Sequence, residues 1–117
     1  VISINNVILS YLQIKTKVLK ASEILVNPEA GRYSSKTERI VNICRQLGAT
    51  SYLSGPSASQ YLDKAQFSAQ NIQLNYINYS GYSDYKQLWG EWSPGLSIVD
   101  LLFNCGTSSS RYLTYGK

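Results

Sequence analysis

The sequence predicts an α/β fold: a small, mainly parallel sheet of three strands, or slightly more, with flanking helices. Three observations predict it. Short apolar runs suited to strands, at 15–19, 50–53 and 72–77, alternate with longer segments of helical period. The helical segments stand between the strands, where parallel pairing requires crossovers. At 117 residues, 44% hydrophobic and 15% charged, the chain has room for one domain, 1–117, with a modest core.

Ile4, Ile8, Tyr11 and Leu12 share one face at helical spacing and predict a helix over 2–12, against the lower propensity of its β-branched residues. Lys15-Thr16-Lys17-Val18-Leu19 reads as the first strand, and Ala21 to Leu25 as one helical turn. Asn27-Pro28-Glu29-Ala30-Gly31 is a loop rich in breakers. Ser35 can cap the clearest helix, with Glu38 three residues on as its capping-box partner and Ile40, Val41, Ile43, Cys44 and Leu47 as the apolar stripe. Gly48 closes that helix.

Thr50 to Leu53 follows as the second strand, then helical turns from Pro56 to about Gln70 with Asp63 as an internal restart cap, then the third strand Ile72 to Ile77. The resulting order β, α, β, α, β is that of a Rossmann-like half, whose ligands bind outside the carboxyl ends of the strands. Residues 54–57 and 78–82 occupy such ends. The aromatic loop from Tyr79 to Tyr85 continues to Trp89 and Trp92 before Pro94-Gly95; loops this long usually carry function, and the two tryptophans are expected to cover an exposed core face.

In the last helix, 97–105, Ile98, Leu101, Leu102 and Cys105 recur at helical spacing, with Val99 and Phe103 opposite. Ser97, Asp100 and Asn104 fall on one narrow polar stripe when residues are set about 100° apart. A carboxylate in such surroundings needs a hydrogen-bonding partner, a ligand or water, so Asp100 is either a structural anchor to backbone amides or an Arg, or a site residue.

Tyr52-Leu53-Ser54-Gly55-Pro56-Ser57-Ala58-Ser59 is the other candidate site. An apolar run ends in small residues where helical turns begin, with Gly55 free to take positive φ, Pro56 preset for a first helical position, and hydroxyls beside unpaired amides that favour an anion. The same pattern serves as an ordinary serine-capped strand-to-helix turn. It contains neither G-x-G-x-x-G nor a Gly-Lys-Ser/Thr ending.

The net charge of +4 comes from 11 Lys and Arg against 7 Asp and Glu, scattered from Lys15 to Lys117 without a block, which argues against a nucleic-acid partner. No apolar run approaches the roughly 20 residues that span a bilayer, and a cytoplasmic setting is expected. Cys44 and Cys105 are expected as free, buried thiols. With no histidine, the chain lacks the commonest general base, and no residues have metal-ligand spacing, so neither a metal nor another cofactor is expected. The absence of methionine and a start at Val1, inside an apolar pattern, suggest a piece of a longer chain.

Tyr52-Leu53-Ser54-Gly55-Pro56-Ser57, Tyr61-Leu62-Asp63, Tyr79-Ser80-Gly81-Tyr82, Gln87-Leu88 and Ser97-Ile98-Val99-Asp100-Leu101-Leu102-Phe103-Asn104-Cys105-Gly106 occur in the order found in WbqC-like proteins. With Lys36-Thr37-Glu38-Arg39 and Arg111-Tyr112-Leu113, the resemblance covers essentially the whole chain, matching the C-terminal half of members about twice its length. It implies a bacterial protein of O-antigen or other surface-polysaccharide biosynthesis, with a transferase role on an activated sugar. Family members tend to carry a glycine near the position of Tyr33-Ser34-Ser35, a departure that bears on the shape of that loop.

Carried over position by position, the candidate substrate-binding residues are Ser54, Gly55, Ser57, Tyr79, Tyr82, Lys36 and Arg39, and the candidate catalytic residues Asp100 and Asn104. In the transferase reading, an acyl or aminoacyl group passes to a nucleotide-sugar or other phosphorylated small molecule. The 54–57 turn holds a phosphate with help from Lys36 and Arg39, Tyr79 and Tyr82 stack on a sugar or base, and Asp100 acts as general base or orients the acceptor hydroxyl. Two other readings stand beside it: a binding module without chemistry, and a structural domain completed by another chain, whether a second copy or its own N-terminal half.

Overall fold

The computed structural model describes residues 2–24 and 33–113. They divide into two units: one combines residues up to Lys17 with those from Tyr79 onward, and the other runs from Val18 to Asn78.

The 18–78 unit carries the sheet. Its elements are α1 (Ala21–Ile24), α2 (Lys36–Gln46), β1 (Ser51–Ser54), a 3₁₀ turn (Pro56–Gln60), α3 (Lys64–Ser68) and β2 (Gln73–Tyr76). β1 and β2 pair in parallel, Ser51 opposite Gln73 through Ser54 opposite Tyr76. The ladder extends at both ends, where the Gln73 amide donates to the Thr50 carbonyl at 2.9 Å and the Ile77 amide to the Ser54 carbonyl at 2.8 Å.

Local signals set α2 at both ends. The Ser35 hydroxyl accepts the Glu38 amide at 3.1 Å, while the Glu38 carboxylate reaches past the cap to the Ser34 amide and hydroxyl, both at 2.7 Å. Those donors, the Ser34 hydroxyl foremost, hold the Glu38 carboxyl below the usual carboxylate range. At the other end Gly48 takes φ of +64°, the Gly48 amide donates to Arg45 at 3.0 Å and the Ala49 amide to Cys44 at 2.8 Å, a complete Schellman closure.

Val41 and Cys44 of α2 meet Ala58, Leu62, Phe67, Ile72 and Leu74 in the core, with Tyr52 stacked on Phe67 at a centroid distance of 5.5 Å. Burial raises the Cys44 thiol above its ordinary range, as expected of an inert core cysteine. One polar side chain enters this layer. Thr37 is 2% exposed, and its hydroxyl accepts the Asp63 amide at 3.1 Å and donates to the Tyr61 carbonyl at 3.4 Å, fixing the bend between the 3₁₀ turn and α3.

The expectation of three strands is corrected. The sheet has two strands, not three, among the described residues. Lys15–Leu19 is irregular and exposed: with lysines at 15 and 17 alternating with Thr16 and Val18, neither face is apolar, and no neighbouring strand takes its amides and carbonyls. What stands is a mixed helix and strand unit with a two-stranded parallel sheet, and the Rossmann-like half is not confirmed. The helical stretch from Pro56 restarts at Asp63 as expected, its carboxylate capping α3 by accepting the Ala65 amide at 2.9 Å. Gly55, free to take positive φ, does not use that freedom: it sits at −68°, ordinary extended backbone before Pro56.

The other unit holds a helix, α4 by label (Ile2–Tyr11), the irregular segment 79–97, helix α5 (Ile98–Cys105) and a 3₁₀ run (Gly106–Tyr112). α5 begins one residue after Ser97, which was expected within its polar stripe and caps it instead, the hydroxyl accepting the Val99 amide at 3.3 Å, and it ends at Gly106 with φ of +51°. Leu101 is its buried residue, and the fully buried Ser109 hydroxyl donates to the Gly106 carbonyl at 2.7 Å, folding the 3₁₀ run back. Its far side is apolar and exposed: Val99 at 40% and Phe103 at 87%. Trp89, expected to cover a core face, is 84% exposed. The predicted loop 27–31 lies outside the described residues. No helix among the described residues is long and apolar enough to cross a membrane.

Candidate functional site

The segment after β2 folds an aromatic cleft against the start of α5. Its volume is about 710 Å³, and Tyr79, Tyr82, Tyr85, Trp92 and Tyr112 line it together with Leu96, Ile98 and Leu101. Ser83, Ser93 and Ser97 add polar points to the wall. No lysine or arginine is among the described lining residues. Flat faces with a few hydroxyls suit an uncharged ring, apolar on its faces and polar at its edges.

A hydrogen-bonded group joins this wall, at Tyr85 and Ser93, to α5. The Tyr85 hydroxyl donates to Asp100 Oδ2 at 2.6 Å. Gln87 Nε2 donates to the Ser93 carbonyl at 2.9 Å, and Gln87 Oε1 accepts the Ser93 amide at 2.9 Å. Because a carbonyl only accepts and an amide N–H only donates, Ser93 fixes which way the Gln87 amide lies. Its nitrogen is thereby turned toward Asp100 Oδ2, at 3.4 Å, and the Tyr85 oxygen, at 3.5 Å. The Tyr85 ring packs edge-on to Tyr112 with centroids 5.8 Å apart. The carboxylate that accepts its hydrogen bond, with burial behind it, holds the Tyr85 phenol above its ordinary range.

Asp100 is half-buried on α5, as its place on the polar stripe foretells, and its carboxylate accepts from a phenol and a side-chain amide. Asn104, one turn on, turns inward and donates from Nδ2 to the Asp100 carbonyl at 2.9 Å. Tyr79 and Tyr82 line the cleft as a pair, and Asp100 reaches it through Tyr85.

The remaining candidates belong to the 18–78 unit. Ser54 ends β1 and gives its carbonyl to Ile77, and Ser57 lies in the 3₁₀ turn. Lys36 places its ammonium over the Tyr61 ring, 5.2 Å from the centroid, and Arg39 is exposed on α2. The hollow of about 320 Å³ in this unit is bounded by Glu38, Asn42, Arg45, Gln66 and neighbouring residues, none of them among these five candidates.

Tyr85, Gln87 and Tyr112 were not among the sequence-derived site residues. The signal for the first two was present: in an extended segment residues 85 and 87 point the same way, toward whatever Asp100 offers.

The sequence profile of the WbqC-like protein family matches residues 1–112. A protein of Mycobacterium tuberculosis (strain ATCC 25618 / H37Rv), called "Uncharacterized protein Rv1507c", is 44% identical over 110 residues, which are 94% of this chain and 45% of that protein. The chain thus spans less than half the length of this relative. No solved structure matches. With a family profile matched over nearly its whole length, this chain belongs to the WbqC-like protein family.

Proposed function

We propose that this chain is the sugar-binding part of a protein of surface-polysaccharide biosynthesis, such as that of O-antigen, and that it holds an activated sugar for group transfer. The aromatic cleft backed by Tyr85, Gln87 and Asp100 is the observation that carries this reading. Sugar rings present apolar C–H faces to aromatic rings and hydroxyls at their edges, and the cleft pairs flat faces at Tyr79, Tyr82 and Trp92 with the hydroxyls of Ser83, Ser93 and Ser97. Its uncharged lining suits the glycosyl part of a nucleotide-sugar better than the phosphates.

Titration of the chain with UDP-glucose, UDP-galactose and dTDP-glucose, followed by Trp92 fluorescence and calorimetry, tests the reading. At least one is expected to bind, more tightly than UDP or dTDP alone, and Tyr82→Ala or Trp92→Ala to weaken it by about three- to tenfold, the size of one lost ring contact. Equal binding of the bare nucleotides, or indifference to both substitutions, would overturn it.

A further inference from the structure

Asp100, the one carboxylate of α5, does not itself line the cleft, whereas its partner Tyr85 does. An ionised carboxylate has no proton to give, so the 2.6 Å contact commits the Tyr85 hydroxyl hydrogen to Asp100. Gln87, its amide held by both backbone groups of Ser93, has only N–H to offer on that side, so it supports the carboxylate and cannot take the phenol's proton in its place. Tyr85 is then left with no free donor, and its oxygen, met by Gln87 Nε2 only at 3.5 Å, can still accept.

We infer that Asp100 is a positioning residue that acts through Tyr85, fixing the phenol as a hydrogen-bond acceptor at the cleft wall, so that the site selects a ligand by a hydroxyl group that donates. This rests on the proposed sugar-binding role and deepens it. A sugar hydroxyl satisfies the requirement, and an ether, a fluorine or a hydrogen at the same ring position does not. The fixed polarity makes the selection: a ligand without the donor gives the Tyr85 oxygen no hydrogen bond beyond the 3.5 Å contact from Gln87.

The test compares UDP-glucose with its singly deoxygenated and deoxyfluoro analogues at each sugar position. At one position both analogues are expected to bind about tenfold more weakly than the parent, since fluorine accepts weakly and never donates. Tyr85→Phe should erase that difference, and Asp100→Asn, which frees the phenol to donate, should narrow the gap for the fluoro analogue while leaving that for the deoxy analogue. A fluoro analogue that binds like the parent where the deoxy analogue fails would show Tyr85 donating and overturn the inference, as would the absence of discrimination at every position.

A second measurement stands apart from any ligand. In protein carrying ¹³Cζ-labelled tyrosine, with the Tyr85 signal identified by its loss in Tyr85→Phe, Tyr85 is expected to ionise at higher pH than the other tyrosines, and Asp100→Asn to bring it back toward them. Should none of the nucleotide-sugars bind, the sugar reading fails and this titration alone decides the hydroxyl polarity. Tyr85 titrating together with the other tyrosines would overturn it.

Discussion

Gln87→Ala removes the side chain that ties the cleft wall at Ser93 to the carboxylate behind it. Two hydrogen bonds of 2.9 Å are lost together, one to each backbone group of Ser93. A typical internal hydrogen bond contributes about 0.5–1.5 kcal/mol net. Ser93 is exposed, so water replaces part of what is lost, and the pair together is set at about 1–2 kcal/mol. An opening equilibrium shifts about five- to thirtyfold for that energy. Amide hydrogen exchange read by NMR is the assay, because it reports opening residue by residue. The Ser93 amide is expected to exchange about five- to thirtyfold faster in the variant, with the Ile77 amide, bonded to Ser54 in the other unit, changed by less than about twofold. Gln87→Glu is a sharper probe: its carboxylate can still accept the Ser93 amide but cannot donate to the Ser93 carbonyl, and it sets a second negative charge near Asp100. Unchanged exchange at Ser93 in Gln87→Ala would refute the claim that this side chain holds the wall. Equal acceleration at Ile77 would refute it too, since the loss would then be global.

Three further outcomes are expected. Thr37→Val should lower stability by about 1–2 kcal/mol in urea unfolding, because the Asp63 amide and Tyr61 carbonyl lose their partner in a buried place, and Thr37→Ser should keep the Asp63 amide protected. Gly48→Ala should cost about 1–2 kcal/mol in the same assay: open space surrounds the added methyl, so the cost is that of φ at +64° alone. The Glu38 carboxyl titrates lower in the folded chain, so its stabilisation is present above the unfolded value and is lost as pH falls through the folded one; Glu38→Gln should flatten that part of the acid stability curve.

The parts of the fold that were legible in sequence are those written in neighbouring residues. Ser35, Glu38 and Gly48 bracket α2 because caps and closures act within one turn of the chain, and Asp63 marks its helix for the same reason. The two strands that formed have a partner across the sheet. Lys15–Leu19 had the same short apolar ending but no partner, and strand pairing is not a property of the segment itself. The polar stripe of α5 was readable from the helical period, so Asp100 and Asn104 stood out. Their partners were not, because Tyr85 and Gln87 reach Asp100 across 15 and 13 residues of irregular chain.

The parallel pairing of β1 and β2 also governs how this unit can assemble. Ser51 meets a residue 22 positions away, 73 minus 51, and every later pair keeps that separation. Closing such a loop costs about 2.7 kcal/mol from the length-dependent part alone, taking 1.5RT ln n with n near 22. No tight hairpin offers a cheaper start. The Phe67 ring, stacked on Tyr52, joins the crossover to the strand it must return to. The sheet therefore cannot precede its crossover: strands, 3₁₀ turn and α3 must condense together, and the speed of folding is set by how fast 22 residues of chain find their own beginning.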